Sequence, residues 1–393
     1  MLAPVRSLPR PPRGTGRAGR SRPSRGAHGR DRSVNARRSV LRALAAIAVA
    51  FVASVVVLSA SGARPLPALA ALVAGAVGDR FALTDTVLKT CPLLLTGLAV
   101  AVAFRCGFWN VGAEGQLLVG ALVATTVGGA THAAPFPLPL VAALVGAAVG
   151  GALWAAIAAL LRIGRGVNEI VATIMLNFIA ARVLGWAVHG PLMEAAARYP
   201  QSDLVPTAAL LPMVAGRVHA GVPLAAALAV VVWILLFRTV LGFGWRAVGD
   251  NPRAVRVAGL SPARALLGAV LTSGALAGLA GGVEVLGVTG RLFEQFSAGQ
   301  GYTAIAVALL GRLHPAGVAV AALFFGALAA GSGAMQRVAG VSAVFVAIVQ
   351  AGTLLALLAF EARAPAATES AVVGAAPTGA GPTGATPAES TPS

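Results

Sequence analysis

Charge is scarce in this chain. Of its 393 residues only 11% are charged and 5% aromatic, whereas 57% are apolar. Soluble domains carry roughly a quarter charged residues. A core hiding so much apolar surface would leave too little polar surface to face water, which excludes an ordinary soluble enzyme. Cysteine is nearly absent: Cys91 and Cys106 alone cannot make a disulfide scaffold. Lysine occurs once, as Lys89, and follows Leu88 rather than the glycine of a P-loop, so no Walker motif binds ATP here. His28, His132, His189, His219 and His314 show no metal-ligand spacing, and no GxSxG elbow is present. The sequence therefore offers no catalytic constellation and implies no cofactor or metal.

Long apolar runs are what the chain has instead, with a mean hydropathy of +0.83. A run of ~20 residues crosses a hydrocarbon core ~30 Å thick. The runs predict an all-α, polytopic transmembrane bundle of about ten membrane segments. They are Val40–Ala60, Thr84–Phe104, Phe108–Val127, Phe136–Leu161, Val167–Val188, Val222–Phe237, Ala265–Val288, Tyr302–Leu313, Ala316–Gly331 and Val341–Phe360. The stretch Leu66–Val77 is short and is expected to lie outside the membrane. Tyr302–Leu313 is too short to span upright and is expected to form a broken pair with the next segment around His314-Pro315. The division expected is a disordered Arg-rich tail at 1–38, a transmembrane domain at 39–361 and a disordered Ala/Pro/Thr-rich tail at 362–393.

Residues 1–42 hold twelve of the thirty basic residues and one acid, Asp31. Such a tail can bind nucleic acid, but Pro and Gly oppose a presequence helix. A twin-arginine signal, Arg37-Arg38, would export a folded soluble protein, and none follows. The favoured reading is a cytoplasmic tail that pins the first helix, with no nucleic-acid partner. Arginine placement sets the orientation, because positive charge stays inside. Arg105, Arg162, Arg165, Arg238, Arg246, Arg253, Arg256, Arg264, Arg312 and Arg363 fall in connections on the side of the N-terminus. Both termini are thus expected in the cytoplasm. Arg182 lies inside the fifth segment and can snorkel toward its outer end.

Polar residues at membrane depth rarely face lipid. In FRCGFWNVGAEGQ (104–116), Asn110 and Glu114 stand four apart and are expected to share a helix face among Gly107, Gly112 and Gly115. They either pack helices together or line a passage. In GVNEIVATIMLN (166–177), Glu169, Thr173 and Asn177 make one polar stripe. Glu169 is expected to pair with Arg162 or Arg165, and Asn177 to serve a partner helix or a passing solute. Gly274, Gly278 and Gly282 form a small-residue seam, beside which Glu284 is expected to hydrogen-bond across helices. Outside the membrane, Gly249-Asp250-Asn251-Pro252 signals a turn into a short helix that Gly259 stops. That helix is either a docking knob for a peripheral partner or a plain interfacial helix.

These stretches, with YTAIAVALLGRLHP (302–315), resemble the permease subunits of ATP-binding-cassette importers of the branched-chain amino acid, ribose and nucleoside class. The resemblance runs from about Leu83 to Phe360 and is greatest to the simple-sugar and nucleoside permeases. It implies a plasma-membrane subunit of a bacterium, working by alternating access. The implied partners are a cytoplasmic ATP-binding subunit, a second permease, the same or paralogous, and an extracytoplasmic substrate-binding lipoprotein, all within membrane lipid. The solute is a small molecule, a nucleoside or simple sugar. Gly249, Asn251, Pro252 and Gly259 would mark the coupling helix. Asn110, Glu114, Asn177 and Glu284 would mark the translocation path or helix packing. The alternative is an ion-coupled carrier using Glu114 and Glu284.

Overall fold

The computed structural model describes residues 64–340 continuously, with isolated helical positions at 48, 52, 55, 56, 59, 345, 348, 351 and 352. Both expected tails, and most of the first and last expected segments, lie outside the described residues. Eleven helices follow in the continuous stretch: α1 (Pro65–Val77), α2 (Arg80–Arg105), α3 (Ala113–Ala130), α4 (Leu138–Arg165), α5 (Glu169–His189), α6 (Gly221–Arg238), α7 (Val240–Asp250), α8 (Pro252–Val257), α9 (Pro262–Glu284), α10 (Gln300–Leu310) and α11 (Pro315–Ala339). A π-helical turn, Val285–Thr289, extends α9. Six of these elements are long and apolar enough to cross a membrane: α2, α4, α5, α6, α9 with its π turn, and α11. The protein is a multi-pass helical membrane protein.

Local chemistry sets the helix ends. Asn168, Asn251, Ser261 and His314 cap α5, α8, α9 and α11 by accepting first-turn backbone N–H groups. Pro252, Pro262 and Pro315 follow three of these caps, where their missing N–H costs nothing. Gly166 (φ +67°) and Gly340 (φ +63°) end α4 and α11 in the left-handed conformation that a side chain disfavours.

α2 is the central helix. It is apolar all round and buried without interruption from Cys91 to Ala103. α9, α10 and α11 pack against it, and α9 also packs on α3 and α4. The expected glycine seam drives that crossing. A Cβ on Gly278 would meet the backbone of Ala147 and Gly151 on α4, and one on Gly120 of α3 would meet Gly278 itself. Only hydrogens fit between these three backbones. The stretch expected outside the membrane is α1, whose Ala68 and Leu72 pack with Leu328 and Met335 of α11.

At the end where α5 finishes, residues 190–211 are laced to the segment after α9. Val205 N–H donates to the Gly290 carbonyl, and Leu211 N–H to that of Leu286. A two-stranded hairpin, β1 (Met213–Ala215) and β2 (Val218–His219), leads into α6. The opposite end of the helices collects the arginines. There Arg105 Nε donates to the Leu313 carbonyl (2.7 Å), and Arg162 pairs with Glu169 at 3.3 Å, as the stripe on α5 led one to expect.

Candidate functional site

The expected shared helix face of Asn110 and Glu114 does not form. α2 ends at Arg105 and α3 begins only at Ala113, so Asn110 lies in the elbow between them. Glycines at 107 and 112 let that elbow fold back toward the level of Ala99. The two residues still meet at one place, because the elbow carries Asn110 to the start of α3. Asn110 is fully buried. Its Nδ2 donates to Ser273 Oγ (2.9 Å) and Gln116 Oε1 (3.0 Å). Its Oδ1 accepts from the Gly112 N–H (2.9 Å) and Gln116 Nε2 (3.0 Å). A primary amide has two donors and two lone pairs, and all are used. Ser273 Oγ in turn donates to the Ala99 carbonyl at 2.6 Å. Asn110 thus ties the elbow to α3, α9 and α2.

Asn177 holds the same place from α5. Its Oδ1 accepts from the Gly115 N–H (2.8 Å), one of the four donors a helix start leaves open. Its Nδ2 donates to the Val111 carbonyl (3.0 Å) and Tyr302 Oη (3.2 Å). Eight residues separate Asn177 from Glu169 at the arginine-rich end, so α3 begins about 12 Å inside that end at 1.5 Å per residue.

Glu114 joins α3 to α10. Its Oε2 accepts from the Gly301 N–H at 2.7 Å, and Ser297 and the Gly299 backbone also hydrogen-bond its carboxylate. A Cβ on Gly301 would collide with the backbone of Glu114. Two helix starts therefore meet inside the membrane: α3 leads to one end, and α10 returns to Arg312 at the other. A carboxylate between two helix N-termini satisfies open N–H groups and the positive ends of both dipoles.

Glu284 stands apart from this junction. It ends α9 half-buried, and among the described residues its side chain makes no hydrogen bond or ion pair; it feels the charge of Lys89 on α2. The interhelical hydrogen bond expected of it does not form.

The segment after α6 follows its turn chemistry. Asn251 Oδ1 accepts from the N–H groups of Arg253 (3.0 Å) and Ala254 (3.1 Å), Pro252 opens α8, and Gly259 adopts φ +83°. Val257 is 90% exposed and Leu260 about half, so the tip is apolar and bare. Its base is not. A Cβ on Gly249 would run into the Arg105 carbonyl at the end of α2. Arg105 and Arg246 each lie 5.1 Å from the centre of the Phe237 ring, which stacks on His314. Burial, then the Arg105 charge, holds the His314 imidazole below its usual pKa. This favours the neutral ring, whose Nδ1 accepts the Ala316 N–H.

Gln116, Ser273, Gly301 and Tyr302 belong to the junction and were not singled out from sequence. Among the described residues, no group of His, Cys, Asp and Glu could hold a metal ion.

The sequence that builds this arrangement matches a known family model over residues 82–358, described as the branched-chain amino acid transport system permease component. The chain belongs to that permease family. Its relatives include a glucose ABC transporter permease protein of Haloferax volcanii, 38% identical over 82% of this chain and 87% of that protein. A guanosine ABC transporter permease protein of Bacillus subtilis is 35% identical over 79% of this chain and 91% of its own length. A nucleoside ABC transporter permease protein of Lactococcus lactis is 30% identical over 77% and 86%. The chain is thus a permease subunit of the ABC importer type, and the transport step is what it contributes.

Proposed function

We propose that this chain is the membrane-spanning subunit of an ATP-driven importer in a bacterial plasma membrane, passing a nucleoside or simple sugar inward. The arginine-rich end is the cytoplasmic one, and about ten segments span the bilayer with both termini inside. A second permease completes the passage, a receptor lipoprotein delivers solute to the opposite face, and a cytoplasmic subunit hydrolyses ATP.

One observation carries the mechanism. The base of the α7–α8 knob rests, backbone on backbone, on the end of α2, one elbow away from the α3–α10 junction. Val257 and Leu260 offer an ATPase an apolar grip, beside a groove of about 410 Å³ lined by Phe243, Asp250 and Asn251. A push there acts on Gly249 and Arg105 together. Arg105 is bonded to the Leu313 carbonyl, so it moves the far end of α10 as well. Both half-helices that meet at Glu114 are therefore driven from one contact. Asn110, Asn177 and Glu114 act as the pins of that junction. The relatives named for glucose, guanosine and nucleosides support the solute class. Ion coupling through Glu114 finds no support in its surroundings, which satisfy the carboxylate with backbone and hydroxyl donors.

Gly259→Trp tests the assignment, because at φ +83° a side chain strains the turn that supports the exposed tip, while no neighbouring atom of the described residues lies close enough for it to disturb the membrane helices. In the assembled complex, transport and solute-stimulated ATP hydrolysis should both fall while membrane insertion stays normal. Unchanged stimulated hydrolysis would reduce the knob to an interfacial helix.

A further inference from the structure

A second set of polar groups lies on the bare face of α5 and does not take part in the junction. Arg182 is exposed, seven residues before the end of α5, and has no ion pair or hydrogen bond among the described residues. Seven residues place its Cα about 10 Å inside that end of α5. Around it Phe178, Ile179, Val183 and Trp186 form an open, apolar groove of about 380 Å³ on this one helix. One turn further, Gly185 leaves room for Glu294, whose carboxylate also lies 3.9 Å from His189 Nε2. At the lower end Tyr302 is 43% exposed. Its Oη accepts from Asn177, so its own hydrogen is free to donate outward. From Asn177 to His189 these groups cover twelve residues of α5, about 18 Å, winding from the buried side that bears Asn177 to the bare side that bears Arg182.

Hydrocarbon is the wrong solvent for such a face. A guanidinium with no partner among the described residues, part-way along a membrane helix, calls for water or a polar ligand, and Glu294 stands beside His189 at the end of the same helix. The chemistry is mixed: a forked donor, an acceptor carboxylate, a phenolic donor and two exposed rings, Phe178 and Trp186. No single charge dominates, which disfavours an ionic solute. A carboxylate accepts from vicinal hydroxyls, a guanidinium donates to ring nitrogens and carbonyls, and aromatic faces stack on bases.

We propose that Arg182, Glu294 and Tyr302 line a water-filled track that leads a nucleoside from the outer surface to the α3–α10 junction. Glu294 meets the ribose hydroxyls at the His189 end, Arg182 with the two rings takes the base further in, and Tyr302 receives the hydroxyls at the junction. This deepens the importer reading and rests on it, so the test separates the two. Access comes first and needs no knowledge of the solute. Both native cysteines are buried and silent, so the unaltered chain is the blank. In the whole complex, Arg182→Cys and Glu294→Cys should react with a membrane-impermeant thiol reagent from outside. Val145→Cys, on the bare apolar side of α4, should not. Failure of both track positions to react, with insertion intact, would overturn the track whatever the solute. Uptake comes second, in proteoliposomes with ATP. Tyr302→Phe and Glu294→Gln should each lower guanosine uptake about tenfold at low concentration, the value of a hydrogen bond to a polar or charged partner, and the loss should shrink as guanosine concentration rises. Uptake equal to the unaltered chain in both variants would remove the residues from the solute's path. Reactive cysteines with glucose carried and guanosine refused would overturn the nucleoside assignment, while leaving the importer standing.

Discussion

At the α3–α10 junction Asn110 spends all four of its hydrogen-bonding positions on the protein, and Glu114 and Asn177 accept from helix N–H groups. On the half of α5 that ends at His189, within two turns, Arg182 has no partner among the described residues and Tyr302 accepts from Asn177, leaving its own hydrogen to donate. Both sets are polar residues in apolar helices. Buried and saturated, a polar group fixes where backbones sit. Bare and unpaired at membrane depth, it must be solvated by something other than lipid. Saturation, more than polarity, separates the two sets.

The largest expected effect breaks the contrast at its firmest point. Asn110→Leu strands the Gly112 N–H and the Gln116 amide in a dry interior. An unmet buried donor costs ~1–3 kcal/mol, so two consume much of a net stability of ~5–15 kcal/mol. The variant should be scarce in membranes and melt far below the unaltered chain in detergent. Arg182→Leu, on the bare face, should melt normally and fail only in transport. Equal melting of Asn110→Leu and the unaltered chain would end the distinction.

How much of this was legible beforehand follows the same line. Local rules were readable: the Asn251-Pro252 start of α8, the His314-Pro315 start of α11, the Arg162–Glu169 pair and the Gly274–Gly282 seam all follow from neighbours in the chain. The junction was only half readable. Asn110, Glu114 and Asn177 stood out as polar residues in apolar runs, but their partners did not. Ser273 lies 163 residues from Asn110, and Tyr302 lies 125 from Asn177; contacts that remote leave no local period. The expected common face of Asn110 and Glu114 fails because glycines at 107 and 112 allow a break within the apolar run. Glu284 looked equivalent to Glu114 by type, yet no helix start faces it.

A middle-sized effect sharpens the role of the carboxylate. Glu114→Gln keeps one acceptor for the Gly301 N–H but loses the charge that Ser297 and Gly299 also use. Assembly should stay near normal. Uptake should fall about tenfold, the scale of one charge-assisted hydrogen bond. With ATP supplied and ion gradients collapsed, uptake by the unaltered chain should persist, and a shift in external pH should change the variant no more than the parent. Uptake that dies with the gradient and survives loss of ATP would restore the ion-coupled reading.

The smallest effect concerns a carboxylate outside the membrane, where water can enter. Glu194 accepts from Gln201 Nε2 (2.6 Å) and the Tyr199 N–H (3.2 Å), and Arg291 lies 3.6 Å away. The Gln201 bond above all, with the backbone N–H groups and the Arg291 charge, holds its pKa below the ordinary glutamate value. A lowered folded-state pKa means that the stabilisation is present above the unfolded value, ~4.3, and fades as pH falls through the folded one. Neutral conditions should therefore show a closed loop, and acid below about pH 4 a looser one. The change should appear as lost amide protection at 194–203, the stretch laced to the segment that carries Glu294. In Glu194→Gln the amide does not titrate, so protection should start slightly lower and stay flat across the same range. A parent loop whose protection is equally flat would show that Glu194 does not hold it. Loosening in the parent that also slows labelling of Glu294→Cys would join this loop to the outer mouth of the track.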